Sequence, residues 1–199
     1  MLLNTDLLLS SKTCSLIEEA KGISKRKRKE ARMRKKCFAP VIDEHTRLLI
    51  LGSLPGEKSL AQGEYYANRQ NMFWHLMSSI IDVDLVTLSY HQKLECLLRH
   101  RIGIWDVVAE ATREGSLDSN IKSHEGNDLL SLIQSLPNLR AIAFNGATSA
   151  KLGAKIIGAA AGQYALFSLP SSSSAHTLAF GEKLAQWSVL RAATADCPN

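Results

Sequence analysis

Three short stretches carry the residue types that could do chemistry: Gly52-Ser53-Leu54-Pro55-Gly56 running into Glu57-Lys58-Ser59, then Asn145-Gly146, then Pro170 followed by Ser171, Ser172, Ser173 and Ser174. The first places Lys-Ser at the spacing of a phosphate-cradling Walker A loop. However, the second glycine of that motif is replaced by Glu57, whose carboxylate would face phosphate, and Pro55 removes an amide donor. No Walker B aspartate is evident, because Asp106 sits between Trp105 and more of the same apolar run. Nucleoside triphosphate hydrolysis is therefore disfavoured. Asn-Gly is by itself a common turn pair, whereas serine hydroxyls and backbone amides suit contacts to phosphate that position without reading sequence. The four cysteines, Cys14, Cys37, Cys96 and Cys197, are far apart, with no C-x-x-C pair and no histidine at finger spacing. They read as free thiols in a reducing compartment, and no metal site or cofactor is expected.

These stretches need a scaffold to bring them together. The chain has 199 residues, 45% hydrophobic and 22% charged, enough for one domain with a real core. Four short apolar runs, Leu48 to Leu51, Ile102 to Val108, Ala141 to Phe144 and Ala165 to Leu169, read as buried strands. Between them lie helical patterns over Phe73 to Ile81, Tyr90 to His100, Asp128 to Leu136 and Ala147 to Ile157, with a last one over His176 to Ala193. Alternation of this kind predicts a three-layer α/β/α fold around a central, mainly parallel four-stranded sheet. The three chemical stretches each follow a strand, so all can meet at its carboxyl edge. Residues 1–45 read as a basic appendage, partly helical or disordered, and 46–199 as a single domain. Ser24 to Lys36 holds nine basic residues against Glu30, a local +8 in a chain of +5, so the remaining residues sum to −3. Such a run suits a polyanion and also resembles a nuclear-import signal. No apolar stretch approaches a membrane span, and the N-terminus lacks the pattern of a secretory signal.

The block Leu51-Gly-Ser-Leu-Pro-Gly-Glu-Lys-Ser-Leu-Ala-Gln-Gly-Glu-Tyr65-Tyr66-Ala-Asn-Arg-Gln-Asn71-Met-Phe73-Trp74 resembles the first motif of the uracil-DNA glycosylase superfamily. Gly103-Ile-Trp-Asp106, Gly115-Ser-Leu-Asp118, Phe144-Asn145-Gly146 and Leu169-Pro-Ser171 follow in the order of that family, and the branch they look most like is the hypoxanthine-DNA glycosylases, family six. The resemblance covers about 150 residues from Arg47 onward, leaving the appendage outside it. It implies a monofunctional, metal-free enzyme that flips a deaminated nucleotide from DNA and hydrolyses its N-glycosidic bond, leaving an abasic site. Hypoxanthine is the first expected substrate, with uracil or xanthine possible.

Residue by residue, the resemblance implies that Tyr66 stacks on the flipped base and Tyr65 is a structural neighbour. Gly52 and Ser53 line the base pocket, and Asn145 reads the base edge. An asparagine amide accepts from a ring N–H and donates to a carbonyl, the pattern of N1–H and O6 in hypoxanthine and of N3–H and O4 in uracil. Rotated, it would suit adenine, so other groups must pin it. Sister families carry Asn or Asp before the motif proline, where this chain has Leu54. In the hypoxanthine branch the catalytic asparagine precedes x-Phe-Trp, which is Asn71 here; it would orient water, and it could equally cap the next helix. Ser171 to Ser174 correspond to the loop that pinches DNA phosphates, with Arg69 as an added contact. Two departures mark this chain: Leu169 in place of a frequent histidine, and Ser174 in place of a proline, which suggests a softer loop without a large apolar wedge. The implied partner is DNA containing a deaminated base, bound by a monomer without membrane contact, in the cytoplasm with the nucleoid of a bacterium or in a eukaryotic nucleus. The alternatives are a uracil or mismatch-specific glycosylase and a damaged-DNA-binding module without turnover.

Overall fold

The structure, a computed structural model, describes residues 34–194. Most of the basic run lies outside these residues. The chain divides into two units, Met1–Arg34 and Lys35–Asn199. Residues 35–45, grouped with the appendage on sequence, belong to the second: Cys37 N–H donates to the Ala109 carbonyl at 2.8 Å and Val41 bridges Ile104. Three-stranded pairing includes β1 (Arg34–Lys36) at its edge.

The central sheet consists of β2 (Leu48–Gly52), β3 (Ile102–Asp106), β6 (Ala141–Asn145) and β7 (Ala165–Leu169), all parallel, in the order β3-β2-β6-β7. The first three are buried along their whole length, as expected of strands covered on both faces by helices. The chain crosses from one side of β2 to the other between β3 and β6, which makes β2 and β6 the switch point where such sheets hold ligands. Helices α1 (Glu57–Gln62), α2 (Phe73–Ile81), α3 (Tyr90–Arg99), α4 (Leu129–Gln134), α5 (Ala147–Ile157), α6 (Phe180–Trp187) and α7 (Leu190–Thr194) follow. In α2, Phe73, Trp74, Leu76, Met77, Ile80 and Ile81 form the buried stripe, the spacing of a helix with one apolar face. Ser89 and Gln92 close a capping box on α3.

Three expectations need correction. The run Ala165 to Leu169 does form a strand, but as the edge of the sheet it is largely exposed, with only Leu169 buried. The apolar run Ile102 to Val108 is two strands: β3 ends at Asp106, and β4 (Val108–Thr112) joins β5 (Lys122–Gly126) in a second, antiparallel sheet. Asn127 holds the break, its side-chain amide donating to the Asp106 carbonyl at 2.7 Å and its backbone N–H to that of Val107 at 2.9 Å. The final helix does not start at His176. Its first turn forms at Phe180, where Glu182 accepts from the Ala179 N–H at 3.2 Å, and a break separates α6 from α7.

Candidate active site

The carboxyl ends of β2, β3 and β6 open into a cleft of about 450 Å³. Gly52, Ser53, Tyr66, Asn71, Asn145, Ser171, Ser172 and Ser173 all line it. Ser174 and Arg69 are exposed and stand outside the lining, so neither forms part of the cleft wall.

Tyr66 sits in the loop between α1 and α2 with φ of 55°, a left-handed conformation uncommon for a bulky residue. The ring that this turn presents stacks on Phe73 at 3.7 Å between centroids and 13° between planes. Phe73 is the first residue of α2, so the platform is backed by a core residue of a buried helix. Tyr65 is structural, as its neighbours show: it is buried, and its hydroxyl donates to the Ala39 carbonyl at 3.3 Å.

Asn145 closes β6, and Gly146 turns the chain away with φ of 107°, a conformation glycine alone adopts freely. The Asn145 amide is held by Ser172, whose N–H donates to Oδ1 at 2.8 Å while Nδ2 donates to the serine hydroxyl at 2.9 Å. A backbone N–H can only donate, so Oδ1 must face it and the amide cannot rotate end for end. Ser172 thus pins the amide in one orientation. The second Nδ2 hydrogen points toward the Tyr66 hydroxyl, 3.4 Å away.

Asn71 lies at the mouth of α2. Its Oδ1 accepts from the Phe73 N–H at 3.0 Å, and its own N–H donates to the Asn68 carbonyl at 2.7 Å. From one position before the N-cap Met72, the side chain thus meets the N–H of the first helical residue while lining the cleft. Leu54 is buried and contributes only its carbonyl, which accepts from Arg113 Nη1 at 3.0 Å.

The serine loop is anchored through three of its carbonyls. Trp187 Nε1 donates to the Pro170 carbonyl at 2.9 Å, Met72 N–H to that of Ser172 at 2.9 Å, and the buried Lys183 amine to that of Ser173 at 3.0 Å. Lys183 and Trp187 lie on α6, one turn apart. Ser174 itself is exposed.

The Walker-like stretch has no phosphate cradle. Glu57 N–H is taken by the Ser116 hydroxyl at 3.0 Å, the Glu57 carboxylate pairs with Lys35 at 3.0 Å, and Lys58 Nζ donates to Asn68 Oδ1 at 3.1 Å.

Three ionisable residues that the motif reading did not assign to the site meet at one side of the cleft. Asp118 accepts from the Ser53 hydroxyl at 2.6 Å and lies 3.6 Å from Arg113, whose guanidinium also donates to the Leu54 and Pro55 carbonyls. Burial raises the Asp118 pKa, opposed by Ser53 and Arg113. Asp106 is buried at the end of β3, opposite Gly52 in the parallel register. Burial pushes its pKa up to about 7, with Arg113 opposing and Asp118 adding to the shift. The available signal in the sequence was a carboxylate closing an otherwise apolar strand at its ligand-binding end.

Residues 39–192 match the model of the Uracil DNA glycosylase superfamily. The chain belongs to this superfamily. A protein of Methanosarcina acetivorans named hypoxanthine DNA glycosylase is 39% identical over 155 residues, 78% of this chain and 96% of that protein. One of the same name from Methanosarcina barkeri is 47% identical over 117 residues, 59% of this chain and 74% of the relative. In three dimensions the chain is similar to the solution NMR structure of a candidate uracil DNA glycosylase from Methanosarcina acetivorans, with a TM-score of 0.71, 38% identity, and coverage of 80% of this chain and 97% of that one. The parallel sheet in the order β3-β2-β6-β7, with Gly52 and Asn145 at its carboxyl edge, is the superfamily's fold as this chain builds it.

Proposed function

We infer that this protein is a DNA repair glycosylase that flips a deaminated base, hypoxanthine foremost, out of DNA and hydrolyses its N-glycosidic bond. The observation that carries this reading is the convergence of a stacking ring, a pinned amide and a second asparagine on one cleft. Flipping costs a few kcal/mol of unstacking, which a platform such as Tyr66 repays. With Oδ1 fixed toward Ser172 N–H, its second lone pair accepts N1–H of hypoxanthine. The Nδ2 hydrogen now near Tyr66 serves O6. Adenine presents the opposite order and meets the wrong ends of an amide that cannot turn. Asn71 Oδ1, steadied by Phe73 N–H, accepts from the attacking water and aims its oxygen at C1′. Ser171, Ser173 and Ser174, with Arg69 and Lys58 at the rim, contact phosphates, while Ser172 positions Asn145.

No helix among the described residues is long and apolar enough to cross a membrane. Incubation with duplexes carrying a single deoxyinosine, deoxyuridine or deoxyxanthosine, followed by hot alkali, tests the activity. Alkali-labile sites should form fastest at deoxyinosine. Tight binding to all three with no alkali-labile site would make the protein a damaged-DNA-binding module instead.

A further inference from the structure

Asp106 is 3% exposed, and its Oδ2 has no hydrogen-bond partner. Its Oδ1 packs over Gly52 so closely that a Cβ there would come within 2.5 Å, which is why β2 must end in glycine. Asn127 reaches only the Asp106 backbone carbonyl. Arg113, the nearest cation, spends its amino groups on Leu54, Pro55 and Asp118. The other titratable groups facing Asp106 are Asp118, Tyr66, Tyr65 and Cys37, none of them a cation. A carboxylate desolvated without a donor is costly, and such a group keeps its proton instead. Its raised pKa, near 7, agrees with this environment. Asp106 also lines the cleft, on the opposite side of β2 from Asn145. The floor beneath the base site therefore holds a buried acid with an oxygen, Oδ2, committed to nothing.

Resting on the glycosylase reading, we propose that Asp106 is a catalytic residue, the acid that protonates the departing purine. The C1′–N9 bond breaks with its electron pair remaining on the base. The Asp106 carboxyl proton passes to N7 of the purine, so hypoxanthine leaves as the neutral N7–H form and Asp106 is left as the carboxylate. The water oriented by Asn71 adds its oxygen to C1′, and the proton it releases returns to Asp106. One water is consumed, and the enzyme is restored. An anionic Asp106 would instead repel the charge developing on the base, so only the acid form is productive. Uracil has no imidazole nitrogen to receive this proton, which gives the site a chemical reason to favour purines.

Single-turnover excision of deoxyinosine between pH 5 and 9 tests the assignment. The wild-type rate should be level at low pH and fall about tenfold per pH unit above a midpoint near that of Asp106. Asp106→Asn, of nearly the same volume, should slow excision by about 100-fold or more and abolish the falling limb, with DNA affinity within about threefold of wild type. A duplex carrying 7-deaza-deoxyinosine should lose rate with the wild type and lose nothing further with the variant. A wild-type rate that is flat or rises through pH 6 to 8, or a variant that keeps both rate and limb, overturns the proposal. Should the variant not fold, carbon-13 titration of aspartate carboxyls in the wild type decides: no buried carboxyl titrating above pH 5 overturns it. Wild type inactive on every deaminated base would instead sink the glycosylase reading itself.

Discussion

Asn71 combines two jobs that can be separated by measurement. Its Oδ1 accepts from Phe73 N–H at the start of α2, and loss of such a bond costs about 1 kcal/mol. If the same oxygen also holds the attacking water, Asn71→Ala should lower the single-turnover rate by about two to four orders of magnitude at nearly unchanged DNA affinity. Denaturant unfolding beside the rate measurement distinguishes the two, since the bond to Phe73 alone predicts a folded fraction with nearly full activity. At Asn145 the substitution to Asp keeps the acceptor for Ser172 N–H and loses both Nδ2 donors. Excision of hypoxanthine and uracil should fall together, by roughly 10- to 100-fold, the equivalent of about 1–3 kcal/mol for an unmet polar contact. Tyr66→Phe, which keeps the ring on Phe73 and loses only a long contact to Asn145, should be mild where Tyr66→Ala is severe. Equal losses in the two variants, measured on the same substrate, would move the role from the ring to the hydroxyl. Quoting Tyr66, Asn71 and Asn145 needed only the motif, but the grip of Ser172 on Asn145 joins residues 27 apart and was invisible in the sequence.

At the scale of elements, patterns with a strong period were legible and those without were not. The helices over Phe73–Ile81 and Ala147–Ile157 match their expected limits because their buried stripes are regular. β5, Lys-Ser-His-Glu-Gly, is exposed at every position and carries no alternation to read. The boundary between β3 and β4 is hidden in an unbroken apolar run, since it is set by Asn127 from outside that run. Nor does sequence reveal that α6 supports the serine loop, because Lys183 and Trp187 act on backbone carbonyls and not on side chains. Lys183→Met keeps length and burial but abandons the Ser173 carbonyl. It should cost about 1–3 kcal/mol of stability and weaken DNA binding, with the rate on saturating enzyme nearly retained. Paired unfolding curves and binding isotherms check this.

For the molecule as a whole, Asp106 predicts how stability follows pH. Its pKa rises from 3.8 toward about 7 on folding, so no penalty applies below pH 4, where both states hold the proton. Between those values only the unfolded state ionises, and the native state loses about 1.4 kcal/mol per pH unit relative to an uncharged residue until pH passes 7. The difference in unfolding free energy between wild type and Asp106→Asn should drift in favour of the variant across that window; a constant difference would show that the carboxyl titrates normally. The basic run belongs to the same scale. With residues 35–45 shown to be part of the compact unit, the segment to remove is 1–33. If it contacts DNA, truncation should flatten the salt dependence by about 0.9 in slope for each phosphate released, leaving base preference unchanged.

The four consecutive serines look interchangeable in the sequence. Yet Ser172 alone is clasped by Asn145 through two bonds and by Met72, the residue between Asn71 and Phe73, through a third. Genetic drift through this run should therefore be uneven. Positions 171, 173 and 174 can wander among small polar residues, while a change at 172 that removes the hydroxyl leaves Asn145 Nδ2 without its acceptor and lowers turnover, the amide orientation being kept by the residue 172 N–H. A saturation library of the loop, selected for repair of deoxyinosine, would show one frozen letter in a stretch that otherwise reads as filler.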